Sequence, residues 1–421
     1  MSRAKLFVMT AIILLIATSL FAEGKSEVWD GTTITVAGGR GMAEQLEPEF
    51  PDITFEYVDI DPGSGTRDAM ASLVLAGDAP DILINFTGRS GGYLVPEYAL
   101  PLNIDESVWD QAILDTFKRD GVLYGLPFSL PVQGMAINLD VVTDIAGYDV
   151  PEGPWTTNDF MQLLYDVKNS DYEGYPTYLY AGISNADYFW LNWFSAFGVK
   201  LFADDYSRSA VNDTDGLVKC FEFLQNIVKE GYSPKTSATN TVKEVLPGFR
   251  AGKIAVTGYR PNWIPPHQQA AINNGEIDHA FKYTVKPFPV YPGIKWPAPI
   301  PGIGTCVLGH KTDNGAKAKA ITDIIVYIAD IAQMSASGDI LTRNDIQKSE
   351  PADPITQKII DYTAIGGFMD PGYTQEWYVE TREAALPILR DLYNMLITPS
   401  EAAKQYEEVI NKILAEYNVG G

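Results

Sequence analysis

The sequence predicts an α/β protein of at least two domains, on three observations. Between residues 33 and 86, short β-branched runs alternate with amphipathic stretches in the order β-α-β-α-β, the pattern of a parallel sheet covered by helices. A chain of 421 residues exceeds what a single hydrophobic core usually organises. Residues 120–140 then hold two apolar runs, 122–126 and 135–139, on either side of Pro127 and Pro131. The prolines lack N–H groups, so the stretch between the runs is expected to be a stiff crossover lying outside any central sheet position.

The elements follow in order. Arg3 and Lys5, an apolar run over 6–17 and Ala22 before Glu23 read as a secretory signal, because a spanning helix needs about twenty apolar residues. Cleavage is expected after Ala22, where no cysteine offers a lipid attachment point. Residues 33–37 read as a strand, 38–41 as a tight turn, 53–59 and 81–86 as the next strands. The helix starting at Thr66 carries Met70, Leu73 and Val74 on one face and stops at Gly77. Ligand should approach the carboxyl ends of these strands, at loops 38–41, 61–66 and 85–92.

Further on, Thr156 and Asp159 form a capping-box pair ahead of Phe160, Leu163, Leu164 and Val167. An aromatic cluster spans 188–194, and a helix from about Asp215 buries Leu217, Phe221, Leu224 and Val228 before Gly231. Residues 286–301 hold seven prolines or glycines, which reads as a second crossover returning the chain to the first domain at 303–308. A helix over 315–334 follows. The last helix opens on Thr398-Pro-Ser-Glu401 and carries Ala402, Tyr406, Val409, Ile410, Ile413 and Tyr417 as its apolar stripe.

Several segments resemble one family. Asp120-Gly-Val-Leu-Tyr-Gly-Leu-Pro and Ile137-Asn138-Leu139-Asp140 are similar to the "dGklyGlP" and "yNkdl" segments at the lobe crossing of extracellular solute-binding proteins of ABC importers, the large sugar-binding family that includes maltodextrin-binding proteins. Leu75-Ala-Gly-Asp-Ala-Pro-Asp81 resembles its "aaGdaPDv", Pro154-Trp155-Thr156 its "TWdE" helix start, and residues 249–256 its "F..GkaAM" strand. Residues 368–382, with Trp377 and Arg382, resemble the part that places a tryptophan under the sugar.

The resemblance implies a two-lobed periplasmic binding protein of type II, each lobe a mixed, mostly parallel sheet flanked by helices. Residues 23–132 and 300–345 would form one lobe, 133–299 and 346–421 the other, with hinges near Pro131 and Pro299. It further implies a monomeric protein without cofactor that carries a carbohydrate to membrane permease subunits.

The formal charge of −23, or −25 without Arg3 and Lys5, and the lack of a basic run make nucleic acid a poor partner. Three scattered histidines and two distant cysteines supply no metal motif, and Asp59-Ile-Asp61-Pro-Gly63 departs from a calcium loop at its sixth and twelfth positions. Cys220 and Cys306 could pair in an oxidising compartment, although Cys220 reads as a buried free thiol on a helix face. Gly88-Arg-Ser-Gly-Gly92 matches a nucleophile elbow with Ser90 as nucleophile, but Pro96 interrupts the helix that should follow, and a serine hydrolase ranks below a binding protein.

Aromatic residues make up 12% of the chain. Sugars present flat C–H faces and a rim of hydroxyls, so their sites pair aromatic platforms with polar side chains. Tyr188, Trp190, Trp193, Trp263 and Trp377 stand near such partners, with Arg260 beside Trp263. Of these, Trp193 is the one most expected in the core and Trp263 the one most expected in a cleft. Arg40, Thr66 and Asn85 complete the candidate set from loops at strand ends. An oligopeptide or polyamine is the alternative ligand.

Overall fold

The structure, a computed structural model, describes residues 29–38, 40–60, 66–181, 187–301, 304–335, 339–346, 351–369 and 372–419. The expected signal segment and most of the loop 61–66 lie outside the described residues.

Ten strands build two main sheets among the described residues: β1 Thr33–Ala37, β2 Thr54–Val58, β3 Ile82–Phe86, β4 Leu126–Pro131, β5 Gly134–Asn138, β6 Tyr175–Thr177, β7 Ile254–Tyr259, β8 Tyr283–Lys286, β9 Thr305–Gly309 and β10 Asp339–Ile340. The first sheet runs β10-β4-β9-β3-β1-β2, and the second β8-β5-β7-β6. β1 pairs in parallel with β2 and β3, and β6 with β7; the other pairs are antiparallel. The sheets are therefore mixed, with more antiparallel pairing than "mostly parallel" implies. Strands that arrive by a crossover from the other sheet, such as β9, enter against the direction of their neighbours.

The expectation for the proline segment is corrected. β4 contains both Pro127 and Pro131 and is hydrogen-bonded in the first sheet. The sheet tolerates them because the β4–β9 register shifts between Thr305 and Cys306, and because β10 reaches only Leu130 and Pro131. A strand partnered on one side for most of its length can present a proline to the unpaired side.

Two large cores organise the fold. One draws on Ile34, Val36, Leu46, Ile82, Leu126 and Cys306 of β9, together with Ile321, Ile325 and Ile328 from the helix Gly315–Ser335. The other gathers Met135, Ile137, Phe160, Leu163, Leu164, Phe221 and Leu224 with Leu389, Tyr406 and Ile410 from the last two helices. Alternation along β5 explains a third cluster, since Ala136 faces away from Met135 and Ile137 and packs with Phe249, Ile254 and Val285.

Local signals worked as expected. The helix Thr157–Lys168 has its Thr156/Asp159 capping box, and Phe160, Leu163, Leu164 and Val167 are all buried. The helix Pro399–Glu416 is capped by Thr398 and Glu401. Cys220 and Cys306 are both free and buried, one in each large core.

Candidate functional site

In the first sheet, β1, β2 and β3 are parallel and end on the same side, at Ala37, Val58 and Phe86. There the chain turns at Gly38, with φ +77°, where a Cβ would sit 2.4 Å from the Ile84 carbonyl oxygen. This close approach needs glycine. A cavity of about 260 Å³ opens at these strand ends, lined by Gly38, Asp59, Asn85, Phe86 and Thr305 among others. Asn85 is 2% exposed; its Oδ1 accepts from the Phe86 N–H at 2.8 Å, while its Nδ2 has no partner.

The second sheet mirrors this arrangement. β6 and β7 run parallel, and a small cavity beside them is lined by Thr177, Tyr178, Trp190, Trp193, Thr257 and Gly258. Trp190 is buried, packs edge-to-face on Phe194, and leaves its indole N–H without an acceptor. After β7 the chain enters Pro261–Trp263, where Trp263 is half-buried and the Arg260 guanidinium lies 4.5 Å over its ring. Asn262 Oδ1 is buried without a donor. Tyr259 and His267 are hydrogen-bonded beneath Trp263, and burial lowers the His267 pKa, which favours the neutral ring.

Between the two sheets, on the crossover from β4 to β5, sits Gln133. It is 1% exposed, its Oε1 accepts from Asn192 Nδ2 at 2.8 Å, and its Nε2 has no partner. Sequence reasoning missed it. The available signal was one amide between apolar Val132 and Gly134-Met135, at the point where the chain changes sheets.

The candidates separate as follows. Asn85 and Trp263 lie at or just after strand ends, and Trp190, on the helix Asp187–Ala196, lines the cavity beside β6 and β7. Arg40, Thr66 and Tyr188 are placed only by their backbones, in a short 3-10 turn and at two helix starts. Trp193 is core, with Phe160, Phe223 and Phe288 rings at 5.5, 5.2 and 5.0 Å. Trp377 is also packed inward: it is 3% exposed, with Phe202 and Tyr206 at 4.6 and 5.4 Å and Gly372 closing over the ring.

Ser90 has no access to a substrate. It is fully buried, its Oγ donates to Phe86 O, and Cys306 Sγ donates to it at 3.3 Å. Its loop forms two 3-10 turns, Thr87–Arg89 and Gly91–Tyr93, in place of a strand-turn-helix elbow. Among the described residues, no group of three or more His, Cys, Asp or Glu is arranged to hold a metal ion, and no helix is long and apolar enough to cross a membrane.

The sequence profile of the bacterial extracellular solute-binding proteins matches residues 33–326. This chain belongs to that family. Solved structures similar to this solute-binding protein include the GacH receptor of Streptomyces glaucescens GLA.O, solved unliganded and with acarbose (TM-score 0.73, 15% identity, covering 91% of this chain and 99% of that one). Lmo0181 of Listeria monocytogenes, in complex with cycloalternan, gives a TM-score of 0.71 at 18% identity, with 91% and 99% covered. The sugar-binding protein MalE from Xanthomonas citri gives 0.70 at 16% identity, with 92% and 98% covered. At these identities the likeness establishes the fold, that of a two-lobed, type II binding protein. No match was found among curated protein sequences.

Proposed function

We propose that this solute-binding protein is the carbohydrate-binding component of an ABC importer, exported to the periplasm by residues 1–22 and delivering its ligand to membrane permease subunits. One observation supports the ligand class: buried polar groups without partners stand beside the cavities at the strand ends of both sheets, on the crossover between the sheets and in the turn after β7. Asn85 Nδ2, Gln133 Nε2 and Trp190 Nε1 are donors, and Asn262 Oδ1 is an acceptor. Leaving a buried polar group unpaired costs about 1–3 kcal/mol, so a ligand that completes these bonds recovers that cost. Hydroxyls both accept and donate, which suits a mixed set, and the exposed part of Trp263, whose ring carries the Arg260 guanidinium on one face, offers apolar surface to a sugar. The structural relatives solved with acarbose and cycloalternan support the same class.

The lobe division 23–132 with 300–345, against 133–299 with 346–421, is supported by the membership of the two large cores. Hinges then lie at the Gln133 crossover and near Pro299, whose carbonyl accepts from Ser195. Contacts made by both lobes exist only when the lobes meet, so ligand shifts the population toward the closed form. The protein acts as a monomeric carrier without catalysis.

A thermal-shift screen of mono- and oligosaccharides tests the reading. Ligand well above its dissociation constant raises the melting temperature by several degrees. A shift with an oligopeptide or polyamine, and none with any sugar, replaces the carbohydrate with that class.

A further inference from the structure

Residues 372–378 run from the second core to the first. Tyr373, Trp377 and Tyr378 pack with the second core, whereas Tyr93, Leu94, Leu114 and Phe117 belong to the first. Between these groups, Arg119 Nη2 donates to the Thr374 carbonyl and Thr374 Oγ1 donates to the Thr116 carbonyl. Two glycines of the first lobe make room for the segment. A Cβ on Gly91 would sit 2.2 Å from the Gln375 carbonyl oxygen and 2.5 Å from its carbon; one on Gly88 would sit 2.9 Å from the Tyr378 ring.

Two cavities border the contact, one of about 610 Å³ lined by Thr87, Thr116, Phe117, Tyr373 and Thr374 among others, and one of about 320 Å³ reaching Arg89, Gly92, Tyr93, Glu376 and Val379. The segment meets the first lobe through its backbone at Gly91 and through the Tyr373 and Tyr378 rings at Gly88, beside open space, so it can part while each core stays intact.

We propose that Gly372–Tyr378 is a latch that holds the lobes together through protein contacts alone, with Gly91 as the keyhole and Thr374 as the bolt. This rests on the two-lobe reading above. The latch sets the closed-to-open ratio before any ligand arrives, and with it the fraction of molecules ready to bind.

The test needs no ligand, so its outcome is independent of which solute binds. Dyes are attached at Glu49→Cys and Tyr165→Cys, both exposed positions on different lobes, while the native thiols are fully buried. Single-molecule energy transfer then reads the lobe separation. Gly91→Val is expected to lower the closed-to-open ratio at least about tenfold, because its side chain cannot coexist with the Gln375 carbonyl. Thr374→Val, which removes one hydrogen bond and conserves shape, lowers it by a smaller factor, and it carries the test alone if Gly91→Val does not fold. Distributions for folded Gly91→Val or, failing that, Thr374→Val that superimpose on the parent protein's overturn the latch.

Discussion

Replacing Gln133 with methionine separates a ligand donor from a structural brace. In the ligand-free protein the glutamine makes one good bond, from Asn192 Nδ2 at 2.8 Å, and carries one orphan, its Nε2. Methionine conserves the length of the side chain, removes that orphan and gives up the bond from Asn192. The lost bond costs about 1 kcal/mol, and removal of the orphan offsets part of it. In a chain of this size, with about 2.1 cal/mol/K of unfolding entropy per residue, the melting temperature then falls by only about 1 °C. Binding behaves differently. A ligand oxygen that Nε2 would have met is left unpaired in a desolvated cleft, at about 1–3 kcal/mol, a 5- to 150-fold loss of affinity. Calorimetric titration with the sugar identified by the screen, alongside thermal melts, measures both. Unchanged affinity in the methionine variant would mean that Gln133 only braces Asn192, and the donor argument would fail.

Other outcomes follow from the same coordinates. Trp263→Ala is expected to weaken sugar binding by at least about tenfold with a minor change in stability, whereas Trp193→Ala should cost about 3–5 kcal/mol of stability by emptying a site ringed by aromatics; titration and chemical denaturation distinguish them. Gly134→Ala forces a Cβ to 2.6 Å from the Lys286 carbonyl across the β5–β8 ladder, and a loss of about 1–3 kcal/mol is expected in urea melts. Lys286 is pushed down to about 8 by burial first and by Lys358 second, against the pull of Glu152 and Asp159. Its unfolded value is about 10.4, so between these values the unfolded chain holds the extra proton and stability rises with pH. That rise should be absent from Lys286→Met, and parallel urea midpoints from pH 7.5 to 10.5 check it.

What was legible in the sequence was local. The capping boxes at Thr156 and Thr398, the stripe Phe160–Leu163–Leu164–Val167 and the glycine stops at Gly77 and Gly231 depend on residues within a turn of one another, and each appears as read. The site resisted for the opposite reason. An indole in a polar context looks the same whether the fold turns it outward, as with Trp263, or encloses it, as Phe202, Tyr206 and Gly372 enclose Trp377. Gln133 has no periodicity to announce it; its meaning comes from Asn192, fifty-nine positions away. Pro127 and Pro131 misled because proline forbids only one side of a strand, and sequence does not say which side will be used.

The two thiols make the protein a reporter on its own breathing. Cys306 sits in the first of the two large cores, and burial pushes its pKa up to about 12; Cys220 sits in the second core with its pKa raised by the same cause. Neither reacts with a disulfide reagent until the half that houses it comes apart, since attack requires an accessible thiolate. Peptide mapping of the modified cysteine over time would therefore clock each half separately, without any introduced probe.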